Sequence, residues 1–454
     1  MMKRRDALKT IGGLGAAAGA AAFLPSCSSD DDGPGAITTY VFMMMENRSY
    51  DHFFGARSML EGKGGDGLTM AMTNQDSDGN AIAPWTPTKE QLCDLDPPHG
   101  WAAAHLQWNN GQNTGFVTEH QKDHGAGAIE PMQYVTRVDV PVSWALADNY
   151  ATADRWFCSV MGPTWPNRFF WHSGTSGGLQ ANELPDGGID WPTIYHRLEA
   201  KGIDWAYYYG SIPTLSAFDG INTDRILRFA RFLEDAAAGT LPPVVYIDPA
   251  FFENDDHPPV HPIHGQALIA TVYRALAASP QWKNCLFVVT YDENGGFFDH
   301  VSPPKTVDDL AAQGFDQMGF RVPTLVAGPY VKEGHISSVV YDHCSALRHL
   351  EKTFDLEPLN QRTAAANDLS DFIDADRLAA GDWKAPIKLP AVDPSEWPMS
   401  EACALSAARE EHDVLQWANA HPEKVAGLDL RPELPAYRRT IQSFLASPPR
   451  AVVK

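Results

Sequence analysis

The feature that most constrains this chain is a set of uninterrupted apolar runs that end abruptly in carboxylates. Residues 37–45 (ITTYVFMMM) contain no charge and run straight into Glu46-Asn47. Residues 286–291 (LFVVTY) do the same and run into Asp292-Glu293. Strands that alternate polar and apolar residues have one wet face, whereas continuous runs of this length fit strands buried on both faces of a parallel sheet. Residues 322–327 (VPTLVA), 244–247 and Trp205–Tyr209 read the same way. Helical patterns lie between them, at 265–278 and 344–354. Strands alternating with helices imply an α/β fold, a mostly parallel central sheet covered by helices on both faces. Residues 66–124 are polar and irregular, a long loop insertion over the sheet. From about residue 389 the pattern changes to helices with Pro breaks.

Domain boundaries follow. Residues 1–27 form an export signal, 28–36 a flexible tether, 37–388 the core domain, and 389–454 a helical extension packed on it. The signal has a basic start, Lys3-Arg4-Arg5, and an apolar stretch at 11–24 too short to span a bilayer. Arg4-Arg5-Asp6-Ala7-Leu8-Lys9 resembles a twin-arginine signal. Leu24-Pro25-Ser26-Cys27 resembles a lipoprotein cleavage box. Lipidation of Cys27 and plain cleavage near it both fit, giving an anchored lipoprotein or a free periplasmic or secreted protein. Of six cysteines, five remain beside Cys27, and an odd remainder leaves one thiol free.

The net charge of −22 argues against a nucleic-acid binder, which needs a basic face, and against loose attraction to anionic lipid. Contact with a membrane is expected only through Cys27.

In open α/β sheets ligands bind outside the carboxyl ends of the strands. Glu46, Asn47, Asp292 and Glu293 would meet there. Three close carboxylates repel unless a cation neutralises them, and hard oxygen donors suit a divalent metal. Calcium, zinc, manganese and magnesium all remain open. Gly162-Pro163-Thr164-Trp165-Pro166-Asn167-Arg168 opens a helix whose backbone N–H groups would face an anion. A metal beside Thr164 would make its alkoxide accessible. Histidines in acidic, Pro-rich loops supply further candidates: His99 after Asp96-Pro97-Pro98, His257 after Asp255-Asp256, and His300 closing the Phe297–His300 run. His52 and His343 are weaker ones.

Together the stretches MMENRSYDHFFG, GPTWPNRFFWHSG and TYDENGGFFDHVSPP resemble the bacterial phosphoesterase family that contains non-haemolytic-type phospholipases C and a group of acid phosphatases. DPPHGW, DDHPP and the stretch from Ser337 to Leu369 fit as well. The resemblance spans roughly residues 37 to 375 and implies an alkaline phosphatase-like fold. It implies that Glu46, Asn47, Asp292 and Glu293 bind one divalent metal ion, and that Thr164 is the nucleophile. It also implies that His99, His257 and His300 position the phosphoryl group or protonate the leaving alcohol, with Arg168 stabilising charge. Thr-Trp-Pro-Asn-Arg is similar to a sulfatase nucleophile signature with Thr where the sulfatases carry Cys, which argues against that activity. Thr164 and Asp292-Glu293 lean toward the phospholipases rather than the phosphatases, although this chain ends before the extra C-terminal β-domains of the larger phospholipases. The expected substrate is therefore a phosphate diester, with a phospholipid head group as one option. A broad-specificity phosphomonoesterase is the second reading. A non-catalytic surface lipoprotein that binds a metal or a phosphorylated ligand is the third. For a choline head group, Trp165, Trp171 and the Trp205–Tyr209 cluster are expected as cage walls.

Overall fold

The computed structural model describes residues 35–93, 95–185, 188–393, 412–426, 428 and 434–454. The export signal, Cys27, most of the tether and Cys403 lie outside the described residues.

An eight-stranded sheet organises the chain from residue 34 onward. Its strands are β1 (Thr39–Met45), β2 (Ala151–Ala153), β3 (Trp205–Tyr209), β4 (Ile226–Arg228), β5 (Val244–Asp248), β6 (Cys285–Tyr291), β7 (Leu325–Ala327) and β8 (His335–Ser337). Their order across the sheet is β8-β2-β7-β6-β1-β5-β3-β4. All neighbours are parallel except the two pairs made by β7, which runs against both β2 and β6. The expected strand at 322–327 is thus shorter and reversed. Pro323 has no N–H to give to a ladder, and pairing begins only at Leu325.

Every residue of β1, β5 and β6 is buried. That is why their sequences lack alternation: helices and loops cover both faces. The principal covering helices are α1 (Thr164–Ser173), α2 (Phe229–Ala238), α3 (Pro262–Ala278), α4 (Cys344–Thr353), α5 (Asp413–Ala420) and α6 (Leu434–Ala446). α1 packs on α4, and both α2 and α6 pack on α3. The 66–124 region is more ordered than its polarity suggests, with helices at Trp101–Trp108 and Phe116–His124 and a small hairpin pairing Asn74–Gln75 with Ala81–Ile82. Among the described residues no helix is long and apolar enough to cross a membrane.

Cysteine arithmetic left one free thiol, but Cys158, Cys285 and Cys344 are all free and buried, and Cys93 is disulfide-bonded.

Candidate active site

Register brings the two acidic strand ends together. β1 is central, with β5 on one side and β6 on the other. Met45 of β1 is level with Tyr291 of β6, so Glu46 and Asp292 leave adjacent strands side by side. Met43 is level with Ile247, so Asp248 ends the third strand level with Met44, two residues short of Glu46. Neighbouring strands lie about 4.8 Å apart, so Glu46 and Asp292 are packed side by side at one buried edge, with Asp248 set back along its strand and joined to Glu46 through Arg168. Asn47 then turns the chain with φ +53°, a left-handed conformation that Asn tolerates better than most residues. Gly295 lies against this turn. A Cβ there would sit 2.3 Å from the Asn47 carbonyl oxygen, and its φ of +60° also demands glycine.

Thr164 is fully buried at the first position of α1, and its hydroxyl donates to Glu46 Oε2 at 3.3 Å. The motif around it is built to hold that turn. Asn167 Nδ2 donates to the carbonyls of Val160, Gly162 and Pro163 at 3.0–3.2 Å, while its Oδ1 accepts from the Val160 N–H at 3.0 Å. Arg168 reaches past the nucleophile. Its Nε donates to Glu46 Oε1 at 2.8 Å and its Nη1 to Asp248 Oδ1 at 3.0 Å, with Asp292 Oδ2 3.7 Å away. The guanidinium therefore braces the strand-end carboxylates and does not face open space where a phosphoryl group would sit. Burial and Asp292 push the Glu46 carboxyl well above its usual range, against the pull of Arg168.

Asn47 carries the test of whether a cation belongs here. Its amide oxygen lies 3.2 Å from Glu46 Oε2 and 2.7 Å from Glu293 Oε1. Its amide nitrogen lies 3.0 Å from His257 Nε2 and 3.4 Å from His99 Nε2. Turned over, the amide would donate its NH2 to both carboxylates, and its oxygen would face the Nε2 atoms of His257 and His99. His257 Nδ1 is 2.6 Å from the Pro258 carbonyl, which only accepts, so that ring keeps its proton on Nδ1. Burial and the charge of His99 push its pKa well down, which opposes a second proton. With the NH2 toward His257, the amide oxygen faces the two carboxylates and needs a cation among them; with the amide turned over, its NH2 bonds them directly. Oxygens aimed at one another repel unless a cation lies among them. Asp292 fits the same picture. Its Oδ1 accepts from the N–H groups of Asn47 at 3.0 Å and Glu293 at 2.7 Å, while its buried Oδ2 has no hydrogen-bond partner among the described residues. Glu293 is held through Oε2 by the Gly295 N–H at 2.7 Å, leaving Oε1 toward Asn47. The donor set fits a hard divalent ion.

His99 differs from His257. Burial alone would lower it, but Asp96, Glu293 and Asp413 hold it up, at about 10. Its Nδ1 donates to the Pro97 carbonyl at 2.8 Å, so Nε2 carries the second proton. The rings of His99 and His257 lie 5.8 Å apart, and one donor atom from each, with one from Asp96, fall within 4.8 Å of one another.

His300 lies in another cluster. Its ring nitrogens meet Asp51 Oδ2 at 2.7 Å and Asp66 Oδ1 at 3.0 Å, beside Asp299 and Arg321. His343 sits behind the site and binds the Asp292 carbonyl at 2.7 Å. His52 is buried against the Phe297 ring, 4.0 Å between centroids. The expected cage walls belong to the core: Trp165, Trp171, Trp205, Tyr207 and Tyr208 are all essentially inaccessible. The half-buried aromatics beside the site are Trp101, which packs over Gly162, and Phe252, whose ring lies 5.9 Å from His257.

Three residues escaped the sequence reading. Asp248 anchors Arg168 and accepts from the Thr214 N–H at 3.0 Å and from the Tyr207 hydroxyl. Its signal was available, an acid ending an apolar run. Asp255 accepts from the His257 N–H at 3.2 Å, and its carbonyl accepts from the Glu46 N–H at 2.8 Å. His412, from the C-terminal region, has a donor atom within 4.8 Å of donor atoms of Glu46 and His257. Nothing local in the sequence marks it.

Comparison with known proteins agrees with this geometry. Residues 37–357 match the model of the Phosphoesterase family. The chain is 32% identical over 399 residues to non-specific phospholipase C6 of Arabidopsis thaliana, covering 79% of this chain and 76% of that protein. It is 31% identical over 436 residues to phospholipase C A of Mycobacterium tuberculosis, covering 80% and 82%. Among solved structures it resembles a protein of the alkaline phosphatase superfamily from Vibrio parahaemolyticus, with a TM-score of 0.38 and 10% identity over 75% of this chain and 74% of that one.

Proposed function

The chain belongs to the Phosphoesterase family and is a hydrolase acting on phosphoric ester bonds, and from that premise we propose that it is a metal-dependent, phospholipase C-type phosphodiesterase working through Thr164. The observation that carries the reading is the buried Thr164 hydroxyl at a helix N-terminus, bonded to Glu46 at the edge where two acidic strand ends meet. The relatives named phospholipase C support a diester over a monoester substrate.

Glu46, Asn47, Asp292 and Glu293 would hold a divalent ion, which would lower the Thr164 hydroxyl pKa and neutralise phosphoryl charge. Arg168 keeps Glu46 in place and Asn167 fixes the turn that aims Thr164. The Thr164 oxygen attacks phosphorus, its proton passing toward Glu46 Oε2, and the bond to the leaving alcohol breaks in line with the attack. His99 protonates that alcohol from Nε2. Its 3.4 Å separation from the Asn47 amide is loose enough to be exchanged for a substrate oxygen. Neutral His99 then takes a proton from the water that attacks phosphorus, the bond to the Thr164 oxygen breaks, and Glu46 returns its proton to that oxygen. His257 keeps a lone pair on Nε2 and serves to orient Asn47. The basic start, apolar stretch and Cys27 box support export of the enzyme to an envelope or extracellular site.

The test is hydrolysis of p-nitrophenylphosphorylcholine against p-nitrophenyl phosphate by the purified chain, with and without chelator, using T164A as control. Chelator-sensitive preference for the diester, absent in T164A, is the expected result. Preference for the monoester would make the enzyme a phosphatase on the same residues. An active T164A would remove the nucleophile assignment.

A further inference from the structure

The C-terminal region does more than cover the core. His412 is 1% exposed and caps α5, its Nδ1 accepting from the Val414 N–H at 3.1 Å. An imidazole nitrogen that accepts from an N–H carries no proton, so the proton of His412 sits on Nε2. A ring nitrogen of His412 lies within 4.8 Å of ligand atoms of Glu46 and His257. Nε2 lies 3.2 Å from Asp255 Oδ2 but off the line of a hydrogen bond, and it has no hydrogen-bond partner among the described residues. Asp255 is already served: Oδ1 accepts from His257 N–H at 3.2 Å and Oδ2 from Phe252 N–H at 2.6 Å. The His412 ring lies 4.6 Å from the His257 ring and 5.1 Å from Phe251. A buried donor left without an acceptor costs free energy, and such a group inside an active site points to a ligand atom that completes it.

The segment is also tied to the nucleophile. Trp417 of α5 packs on Trp165, the residue after Thr164, with ring centroids 4.8 Å apart. Asn182 accepts from the Trp165 N–H at 2.9 Å and donates to Asp413. The end of the chain and the start of α1 are thus held as one unit.

We propose that His412 is a catalytic residue that donates its Nε2–H, as a neutral imidazole, to a phosphoryl oxygen of the ester bound at Thr164; the inference rests on the phosphodiesterase reading above. It is a fixed donor and not an acid. A second proton would have to go on Nδ1, where it would meet the Val414 N–H and break the cap. An N–H fixed in advance near developing negative charge stabilises the transition state without reorganisation.

The cap allows a clean dissection. In H412N the amide oxygen takes the place of Nδ1, and Asn is among the best N-caps, but nothing replaces the Nε2–H. In H412Q the amide reaches the position of Nε2 while the cap is weakened. The assay is p-nitrophenylphosphorylcholine hydrolysis by the full chain with added divalent metal, together with inhibition by orthovanadate and thermal unfolding. H412N is expected to unfold like the wild type while kcat falls about 100-fold, the usual loss for one such donor. Vanadate inhibition should weaken in proportion, and H412Q should recover part of the rate despite lower stability. Wild-type turnover and vanadate inhibition in H412N would overturn the proposal, as would loss of rate only in step with loss of folding. An active T164A would instead defeat the phosphodiesterase reading, so the two failures are distinguishable.

Discussion

Replacing His300 by Gln separates a structural charge from a catalytic one. Each ring nitrogen of His300 faces a carboxylate, Asp51 at 2.7 Å and Asp66 at 3.0 Å, and the Asp51 carboxylate also accepts from the His300 backbone N–H at 2.8 Å. Carboxylates only accept, so both ring nitrogens are protonated. Burial alone would lower the pKa, but Asp51 and Asp299 raise it from 6.5 to about 9. That difference corresponds to about 3 kcal/mol of folding stability at most. The folded pKa lies above the unfolded one. The contribution is therefore complete below pH 6.5, falls as pH rises, and is lost above about 9. Asp299, pushed up to about 6 chiefly by burial, titrates at the acid end of this window, so the closing of the gap between about pH 7 and 9.5 is what reports His300. Urea unfolding of wild type and H300Q at a series of pH values should show a gap of about 3 kcal/mol near pH 6 that closes by about pH 9.5. A gap that stays constant or widens with pH would refute the charge assignment. Folded H300Q should keep its kcat. A loss of about 100-fold or more under conditions where it is folded would return His300 to the role of catalytic acid.

T164A should fold normally and lose turnover, while T164S, which keeps a hydroxyl at the head of α1, should retain measurable activity in the same assay. Chelation should abolish hydrolysis and lower the unfolding temperature, and divalent metal should restore both; indifference of both to chelator would remove the cation from the site. R168M should destabilise the fold by about 3–5 kcal/mol, the range found when one partner of a buried ion pair is removed, because Glu46 and Asp248 lose their shared counter-charge; equal denaturant midpoints for R168M and wild type would refute that bracing role.

The sequence was most legible where the site is contiguous with the sheet. Glu46 and Asp292 follow fully apolar strands, so the strand pattern located them before any contact was known. The helix-opening motif did the same for Thr164. Asp248 was missed by one residue, because the apolar run at 244–247 was read without the acid that ends it. The charge of His300 depends on Asp51, Asp66, Asp299 and Arg321, which are scattered along the chain, so no local pattern could separate it from His99. His412 follows a region whose composition says only helix and loop, and its place in the site exists only in the tertiary packing of Trp417 on Trp165. The aromatic walls were misplaced for a general reason: large aromatic residues fill cores far more often than they line pockets.

The position of β1 governs how the chain can fold. This central strand is made first, yet its partners are far along the chain: Tyr40 is level with Val244, and Thr39 with Cys285. During synthesis this apolar strand waits until Val244 or Cys285 has been made before either edge can pair, and His412 joins later still. Parallel pairing across such separations closes large loops before it gains contacts, which makes folding slow and leaves an exposed edge open to aggregation. A chain built this way needs its open strand edges protected until the sheet has closed.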